Sequence, residues 1–258
     1  MLLSIIIPAR DEEGCVRGTL LTLVSALQKA VIPYEILVVD DGSSDSTAEI
    51  VSAISQDHPE IRLLKNTGAH GFGMAIRYGL QYYKGDCVAI FMADASDSPQ
   101  DLVRYYHVIQ QGYDCAFGSR FVKGGAVVDY PAGKLVLNRL ANLFIKVLLN
   151  VPYNDFTNAF KCYRREVIDH LQPLISPHFN LTVEMPLKAI VRRFSFAVIP
   201  ITWTNRKAGL SKLKIKEMGS RYLFIVLYLW LEKSLSRGDY HALARPGSII
   251  PQVKPEVR

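Results

Sequence analysis

No two of the four cysteines, Cys15, Cys87, Cys115 and Cys162, stand close enough to form a Cys-x-x-Cys pair. That spacing disfavours a zinc site and a disulfide framework, and it fits a reducing compartment. Long apolar runs are missing too. The longest, Tyr222 to Leu231, falls short of the ~18–20 residues that a membrane-crossing helix needs. The chain is therefore not expected to span a bilayer by itself. No signal peptide is read, because the chain enters an apolar, strand-like run at once, Leu2 to Ile7. The turn after that run, Pro8-Ala9-Arg10-Asp11-Glu12, has no glycine fingerprint, which argues against a dinucleotide-binding domain. The formal charge of +6 is modest and no nucleic-acid recognition motif accompanies it, so nucleic acid is not expected as a partner.

What is present is a chain of 258 residues, nearly half of them apolar, ample for a buried core. Its organising stretch is Val39-Asp40-Asp41-Gly42-Ser43-Ser44-Asp45, which closes the apolar run Ile36 to Val39. That run reads as a fully buried strand of a parallel sheet, ending in two carboxylates and a tight turn. Ser46 and Glu49 have the spacing of a capping box that starts the next helix. A second acidic cluster, Asp94-Ala95-Ser96-Asp97, follows another apolar strand, Val88 to Met92. Open α/β sheets bind ligands outside the carboxyl ends of their strands. Two such ends bearing carboxylates suggest a metal and a phosphorylated or polyhydroxylated ligand, although strand-end aspartates also serve simply as helix caps. The glycines of Asn66 to Ala75 admit two readings, a phosphate-approaching loop or a helix start packed close against backbone. Up to Gly118-Ser119-Arg120 the pattern alternates strand and helix, as in a doubly wound sheet.

Beyond Arg120 the pattern changes. A loop of about a dozen residues is long enough to suggest function. The helix expected from about Lys134 carries polar residues at Lys134, Asn138, Asn142, Lys146 and Asn150, with apolar residues around the rest. Such a helix either docks on the core or borders a lipid-facing groove. Asp155 to Phe160 leads into a short strand, and a helix over 179–191 carries Glu184 and Pro186. The loop Asn205 to Lys212 gathers cations around Gly209, and a helix expected over 214–235 has basic residues first and apolar ones after. Such a segment suits phosphates or an anionic membrane interface, or else packs on the domain or on a second copy. Pro246, Pro251 and Pro255 mark 236–258 as a disordered tail.

Taken in order, these motifs resemble the inverting family 2 glycosyltransferases of GT-A fold, and within them the dolichol-phosphate mannose synthase-like group. The matching stretches are Ile5 to Glu12, Val39 to Asp45, the cluster at Asp94, Gly118 to Phe121, Asp155 to Phe160 and Asn205 to Lys212. The resemblance implies an α/β, Rossmann-like and mostly parallel sheet flanked by helices over residues 1–213. Its nucleotide-sugar half would be 1–120 and its acceptor half 121–213, followed by a C-terminal amphipathic helix. It further implies that Pro8, Ala9, Arg10, Glu12, Asp40 and Asp41 line the nucleotide pocket. Asp94, Ser96 and Asp97 would meet Mg²⁺ or Mn²⁺, and Arg120, Lys134, Arg206, Ser211 and Lys212 would hold phosphates. Asp94, Asp97, Arg120 and Arg206 would then carry catalysis.

One departure stands out: the second Asp of the family's Asp-x-Asp motif is here Ser96, with Asp97 next along. The implied reaction moves a hexose from GDP-mannose or UDP-glucose to a polyprenyl or dolichyl phosphate at the cytoplasmic face of a membrane. A phosphate monoester is already anionic at neutral pH, so no general base is required. The alternatives are a glycan or small-molecule hydroxyl acceptor with Glu184 as base, or a silent nucleotide-sugar-binding scaffold. A membrane-embedded partner subunit or a homo-oligomer would be compatible with any of these.

Overall fold

The computed structural model describes residues 1–205 and 215–242. The apolar runs form strands where the sequence pattern puts them. β1 (Leu3–Ala9), β2 (Tyr34–Asp40), β3 (Ile61–Lys65), β4 (Cys87–Ile90), β5 (Cys115–Ser119), β7 (Lys161–Arg164) and β8 (Phe196–Pro200) make one sheet. Its order is β3-β2-β1-β4-β7-β5-β8, and every neighbouring pair is parallel except the two that β7 makes. A separate parallel pair joins β6 (Ala126–Val128), in the loop after Arg120, to β9 (Thr202–Thr204), directly after β8.

Alternate side chains enter two cores. Ile6, Leu37, Val39 and Ile90 face α3 (Phe72–Gly79), α5 (Ala132–Leu149), α6 (Arg165–Leu171), α7 (Leu181–Val191) and α8 (Ile215–Leu235). Ile5, Ile7, Ile36 and Val38 face α1 (Val16–Lys29), α2 (Thr47–Asp57) and α4 (Pro99–Gln110). Both faces are covered, which is why the strands read as continuous apolar runs rather than alternating ones.

Chain order reverses beside β1. The chain steps outward to β2 and β3, then returns to β4 on the other side. The carboxyl ends of β1, β2 and β4 therefore border a crevice at the switch point, where α/β sheets hold ligands. Because β7 runs antiparallel, it brings its beginning to this same edge, and with it the segment from Asp155 to Phe160.

Three expectations change. The capping box does not form: Ser46 makes no side-chain cap, and the Thr47 amide donates to Asp45 Oδ1 at 3.0 Å. The Ser46 amide, which Glu49 would receive in a capping box, donates instead to Glu13 Oε2 at 3.0 Å. The tail is ordered at its beginning: residues 236–242 turn back to α7, where the Ala242 amide donates to the Arg192 carbonyl at 2.8 Å. Tyr240 lies against the Arg192 guanidinium there, 5.4 Å from ring centroid to Cζ. Finally, α8 is not amphipathic around its axis. Ile225, Val226 and Leu229 are buried, yet Phe224, Leu227, Trp230 and Leu231 on the other side are exposed.

Candidate active site

The ends of β1 and β2 are in register, Pro8 opposite Val39 and Ala9 opposite Asp40. The loops that follow them are stitched together by hydrogen bonds, two of them charge-assisted, which fix the rim of the crevice. The Ser44 amide donates to Asp11 Oδ1 at 2.8 Å, the Ser46 amide to Glu13 Oε2 at 3.0 Å, and the Glu12 amide to Thr47 Oγ1 at 2.8 Å. Pro8, Ala9, Arg10 and Glu12 thus share one rim with Asp40 and Asp41. Arg10 is about half exposed there, 4.0 Å from Asp11.

Asp41 is buried and engaged. Its Oδ1 accepts from Asn66 Nδ2 at 2.7 Å and faces His70 Nδ1 at 3.3 Å, while Oδ2 accepts from the Gly71 amide at 2.7 Å. Asp40 Oδ1 accepts from the Ser43 amide at 3.0 Å. Asp41 therefore anchors the glycine loop to the acidic turn. The loop's glycines serve close packing: a Cβ on Gly73 would lie 2.3 Å from the Ser176 carbonyl oxygen, and one on Gly71 2.5 Å from that of Pro177. Of its amides, those of Gly71 and Met74 are already spent on Asp41 and Pro177. Asn66 and His70 were not among the sequence-derived candidates; their signal was only that two polar side chains punctuate a glycine loop.

At the end of β4, Ala95 adopts a left-handed conformation (φ 58°) that turns the chain sharply. Asp94, Ser96 and Asp97 are all buried on this turn. The Ser96 amide donates to Asp94 Oδ1 at 3.2 Å, and the Met92 amide to Asp97 Oδ2 at 3.1 Å. Burial pushes the Asp97 carboxyl up to about 8, helped by the charge of Asp94 and opposed by the Met92 amide and Arg120. Asp97 also lines a cavity of about 240 Å³ with Thr19, Thr22, Phe91 and Gln100, on the α1 and α4 side of the turn. Among the described residues no three His, Cys, Asp or Glu side chains converge as a metal cage. The donor chemistry nevertheless fits Mg²⁺ or Mn²⁺: carboxylate and hydroxyl oxygens are hard ligands, and Mg²⁺ commonly completes its shell with water and substrate phosphates.

Arg120, at the end of β5, is 7% exposed and clamped by Asp155. Its amide and Nε reach Asp155 Oδ2 at 2.9 and 2.8 Å, and Nη2 reaches Oδ1 at 2.6 Å. Asp155 strengthens the guanidinium's hold on its proton against the cost of burial. Nη1 meets no acceptor among the described residues, and the rings of Phe121, Tyr130 and Trp203 surround the guanidinium at 5.1, 5.9 and 5.9 Å. Beneath the pair lies Lys161, 1% exposed, whose ammonium donates to the carbonyls of Phe156 and Asn158. Burial holds its pKa down to about 7. Sequence reasoning missed this lysine, although a cation inside the run Ala159-Phe160-Lys161-Cys162-Tyr163 is itself a signal, since lysine is rarely fully buried.

Two members of the polar stripe of α5, Asn138 and Asn142, turn inward, alongside the buried Ile145 and Leu149, whereas Lys146 is exposed. Asn138 Nδ2 and Asn142 Nδ2 reach Thr157 Oγ1 at 2.8 and 3.2 Å, and Asn142 Oδ1 accepts from the Phe156 amide at 2.6 Å. Lys134 is exposed in the first turn. The apolar side chains Val136, Leu137, Leu140, Leu143, Phe144 and Val147 face outward instead, between 48% and 70% exposed.

Glu184, the candidate base for a hydroxyl acceptor, is committed elsewhere. It is 0% exposed, pairs with Lys188 at 2.7 Å, and accepts from the amides of Ile175 and Ser176. A carboxylate so enclosed has no path to a substrate hydroxyl, so the base assignment is withdrawn. Arg206, Ser211 and Lys212 lie outside the described residues.

The family model described as Glycosyl transferase family 2 matches residues 4–172. Polyprenol monophosphomannose synthase of Mycolicibacterium smegmatis is 34% identical over 215 residues, which cover 81% of this chain and 80% of that protein. Dolichol-phosphate mannosyltransferase of Pyrococcus furiosus is 30% identical over 221 residues, 84% of this chain but 60% of that longer protein. Among solved structures, glucosyl-3-phosphoglycerate synthase from Mycobacterium tuberculosis, with Mn²⁺, UDP and glucosyl-3-phosphoglycerate, aligns with a TM-score of 0.64 at 16% identity. The alignment covers 90% of this chain and 79% of that one. The same synthase has been solved with Mg²⁺ and UDP, at TM-score 0.64 and 16% identity over 90% of this chain and 79% of that one. At such identity the likeness establishes the fold, GT-A.

Proposed function

The chain belongs to the family 2 glycosyltransferases, and from that premise we propose that it transfers mannose from GDP-mannose to a polyprenyl phosphate. In this reaction the sugar's C1–O bond to the nucleoside diphosphate breaks as an oxygen of the lipid phosphate bonds C1 from the opposite face. The anomeric configuration inverts, and the nucleoside diphosphate leaves. The names of both relatives point to mannose and a polyprenol acceptor. UDP-glucose is the competing donor.

The observation that carries the lipid-phosphate reading is the orientation of α5. Its Asn138 and Asn142 meet Thr157 beside Arg120, while a row of its apolar side chains from Val136 to Val147 is turned outward, as are Phe224, Leu227, Trp230 and Leu231 of α8. A phosphate head at Arg120 Nη1 would sit close to a surface fit for an isoprenoid chain or a bilayer interface. Contact with the bilayer is assigned to these two outward faces, on the cytoplasmic side. No described helix is long and apolar enough to cross a membrane. Withdrawal of Glu184 is consistent with a nucleophile that needs no base.

Asp94, with Ser96 and Asp97 on the same turn, would hold Mg²⁺ or Mn²⁺. When bound, the ion would neutralise charge growing on the departing diphosphate. The rim residues Pro8, Ala9, Arg10, Glu12, Asp40 and Asp41 would seat the nucleoside. Arg120, with Lys134, Arg206, Ser211 and Lys212, would position the acceptor phosphate. The test is transfer of labelled sugar into organic-extractable lipid, using polyprenyl phosphate, Mg²⁺ or Mn²⁺ and each donor in turn. Lipid-linked mannose from GDP-mannose is expected. No lipid product from any donor, with nucleotide binding intact, would overturn the assignment.

A further inference from the structure

We propose that Lys161 is a positioning residue that sets the aim of Arg120 by tying down the segment from Asp155 to Asn158. The inference rests on the reading that Arg120 meets the acceptor phosphate, and its test separates the two.

That segment has no helix or strand of its own to hold it, yet Asp155 and Phe156 are 0% exposed and Asn158 is 5% exposed. Its backbone is gripped from two sides. On the α5 side Asn142 Oδ1 takes the Phe156 amide at 2.6 Å. On the sheet side Lys161 supplies an ammonium to the Phe156 and Asn158 carbonyls, from a position on β7 paired with Ile90 of β4 and Phe117 of β5. Those carbonyls flank Thr157, which receives Asn138, Asn142 and, at 3.3 Å, Arg120 Nη2. Asp155, two residues before Thr157, makes the three bonds that orient Arg120.

A purely apolar side chain at this central strand position would fill the space but orphan two buried carbonyls, and the segment would shift to find donors. Arg120 would shift with it, because its Nε and Nη2 are both fixed to Asp155. A lysine here is costly to bury and is not needed for packing, so its directional bonds are what distinguish it from the apolar residues beside it.

The experiment compares Lys161→Met and Lys161→Gln with the native chain by two independent readings. The first is steady-state transfer to polyprenyl phosphate, with Kd for GDP and UDP measured by calorimetry. The second is the emission of Trp203, isolated in a Trp230→Phe background, since the Arg120 guanidinium stands 5.9 Å from its ring. Reading both substitutions keeps the test intact should one fail to fold. Expected are at least a tenfold rise in acceptor KM, nucleotide Kd within twofold, and a shift in Trp203 emission. Lys161→Arg should restore both readings in part. In an Arg120→Gln background, Lys161→Met should add little further loss. Unchanged Trp203 emission with unchanged acceptor KM overturns the proposal, and so does a full additive loss in the Arg120→Gln background. Should the native chain transfer nothing to lipid phosphate while Trp203 still responds to Lys161→Met, the acceptor reading falls and the positioning role stands.

Discussion

Replacing Glu184 with Gln separates a catalytic carboxylate from a structural one. In the folded chain this carboxylate accepts from the Ile175 amide at 2.9 Å and the Ser176 amide at 2.8 Å, and it faces the Lys188 ammonium at 2.7 Å. Both side chains of the pair are at most 1% exposed. Breaking a buried pair by removing one partner costs about 3–5 kcal/mol, because the remaining charge is left uncompensated. Lys188 keeps the Leu171 and Pro173 carbonyls, which moderates the loss, while the amide group of Gln can accept from only part of what the carboxylate served. A destabilisation of about 4 kcal/mol is therefore expected for Glu184→Gln. In a domain of this size that corresponds to a melting temperature lower by roughly 8–16 °C. The assay is thermal unfolding followed by circular dichroism, paired with transfer kinetics well below the transition. kcat should stay within a few-fold of native in the folded fraction. Adding Lys188→Met should recover part of the stability, though not all, because the Ile175 and Ser176 amides remain short of acceptors. A native melting temperature with kcat reduced a hundredfold or more would refute this reasoning and return Glu184 to the chemistry.

Four further outcomes are expected. Asp94→Asn should fold normally and lose about a hundredfold or more in kcat, measured at saturating Mg²⁺; retained turnover would remove Asp94 from the site. Gly73→Ala drives a Cβ to 2.3 Å from the Ser176 carbonyl oxygen and should destabilise the chain by about 1–3 kcal/mol in urea titration. Asp97, pushed up from 3.8 to about 8, is protonated in the folded chain and ionised in the unfolded one between those values. Its stabilising contribution is complete below the unfolded pKa and is lost as pH rises through the folded one. In metal-free buffer, the melting temperature of Asp97→Asn should therefore rise relative to native from about pH 4 to pH 8, and a flat difference would contradict the burial. Substituting Leu140, Phe144 and Leu227 together by Ser should leave the fold intact and weaken sedimentation with anionic vesicles about tenfold or more; undiminished binding would move the membrane contact elsewhere.

Much of the first half was legible residue by residue. Strand β1 covers the apolar run that opens the chain, and strand β2 carries the run Ile36 to Val39 onto the acidic turn at Asp40. The glycine loop was legible only as two alternatives, because a helix start that must lie against backbone and one that must admit a phosphate both call for glycine. The structure shows the first, at Ser176 and Pro177, a hundred residues further along the chain than the loop itself. The stripe of Lys134, Asn138 and Asn142 revealed a two-faced helix but not which face turns inward. Side-chain polarity alone would put the asparagines in water. They are inside, beside Ile145 and Leu149, because Thr157 and the Phe156 amide need partners there, which leaves Val136, Leu140, Phe144 and Val147 outside.

By itself, then, the sequence determined the local elements and the two acidic strand ends, since apolar runs, turn residues and carboxylate placement are properties of neighbouring residues. Only the tertiary structure decided what those side chains meet. It set β7 antiparallel between β4 and β5, which delivered Asp155, Thr157 and Lys161 to the ligand edge beside Arg120. It also sealed Glu184 against Lys188, out of reach of solvent. The physical reason is that strand direction and burial follow from how distant segments pack, and a short apolar strand reads the same from either end.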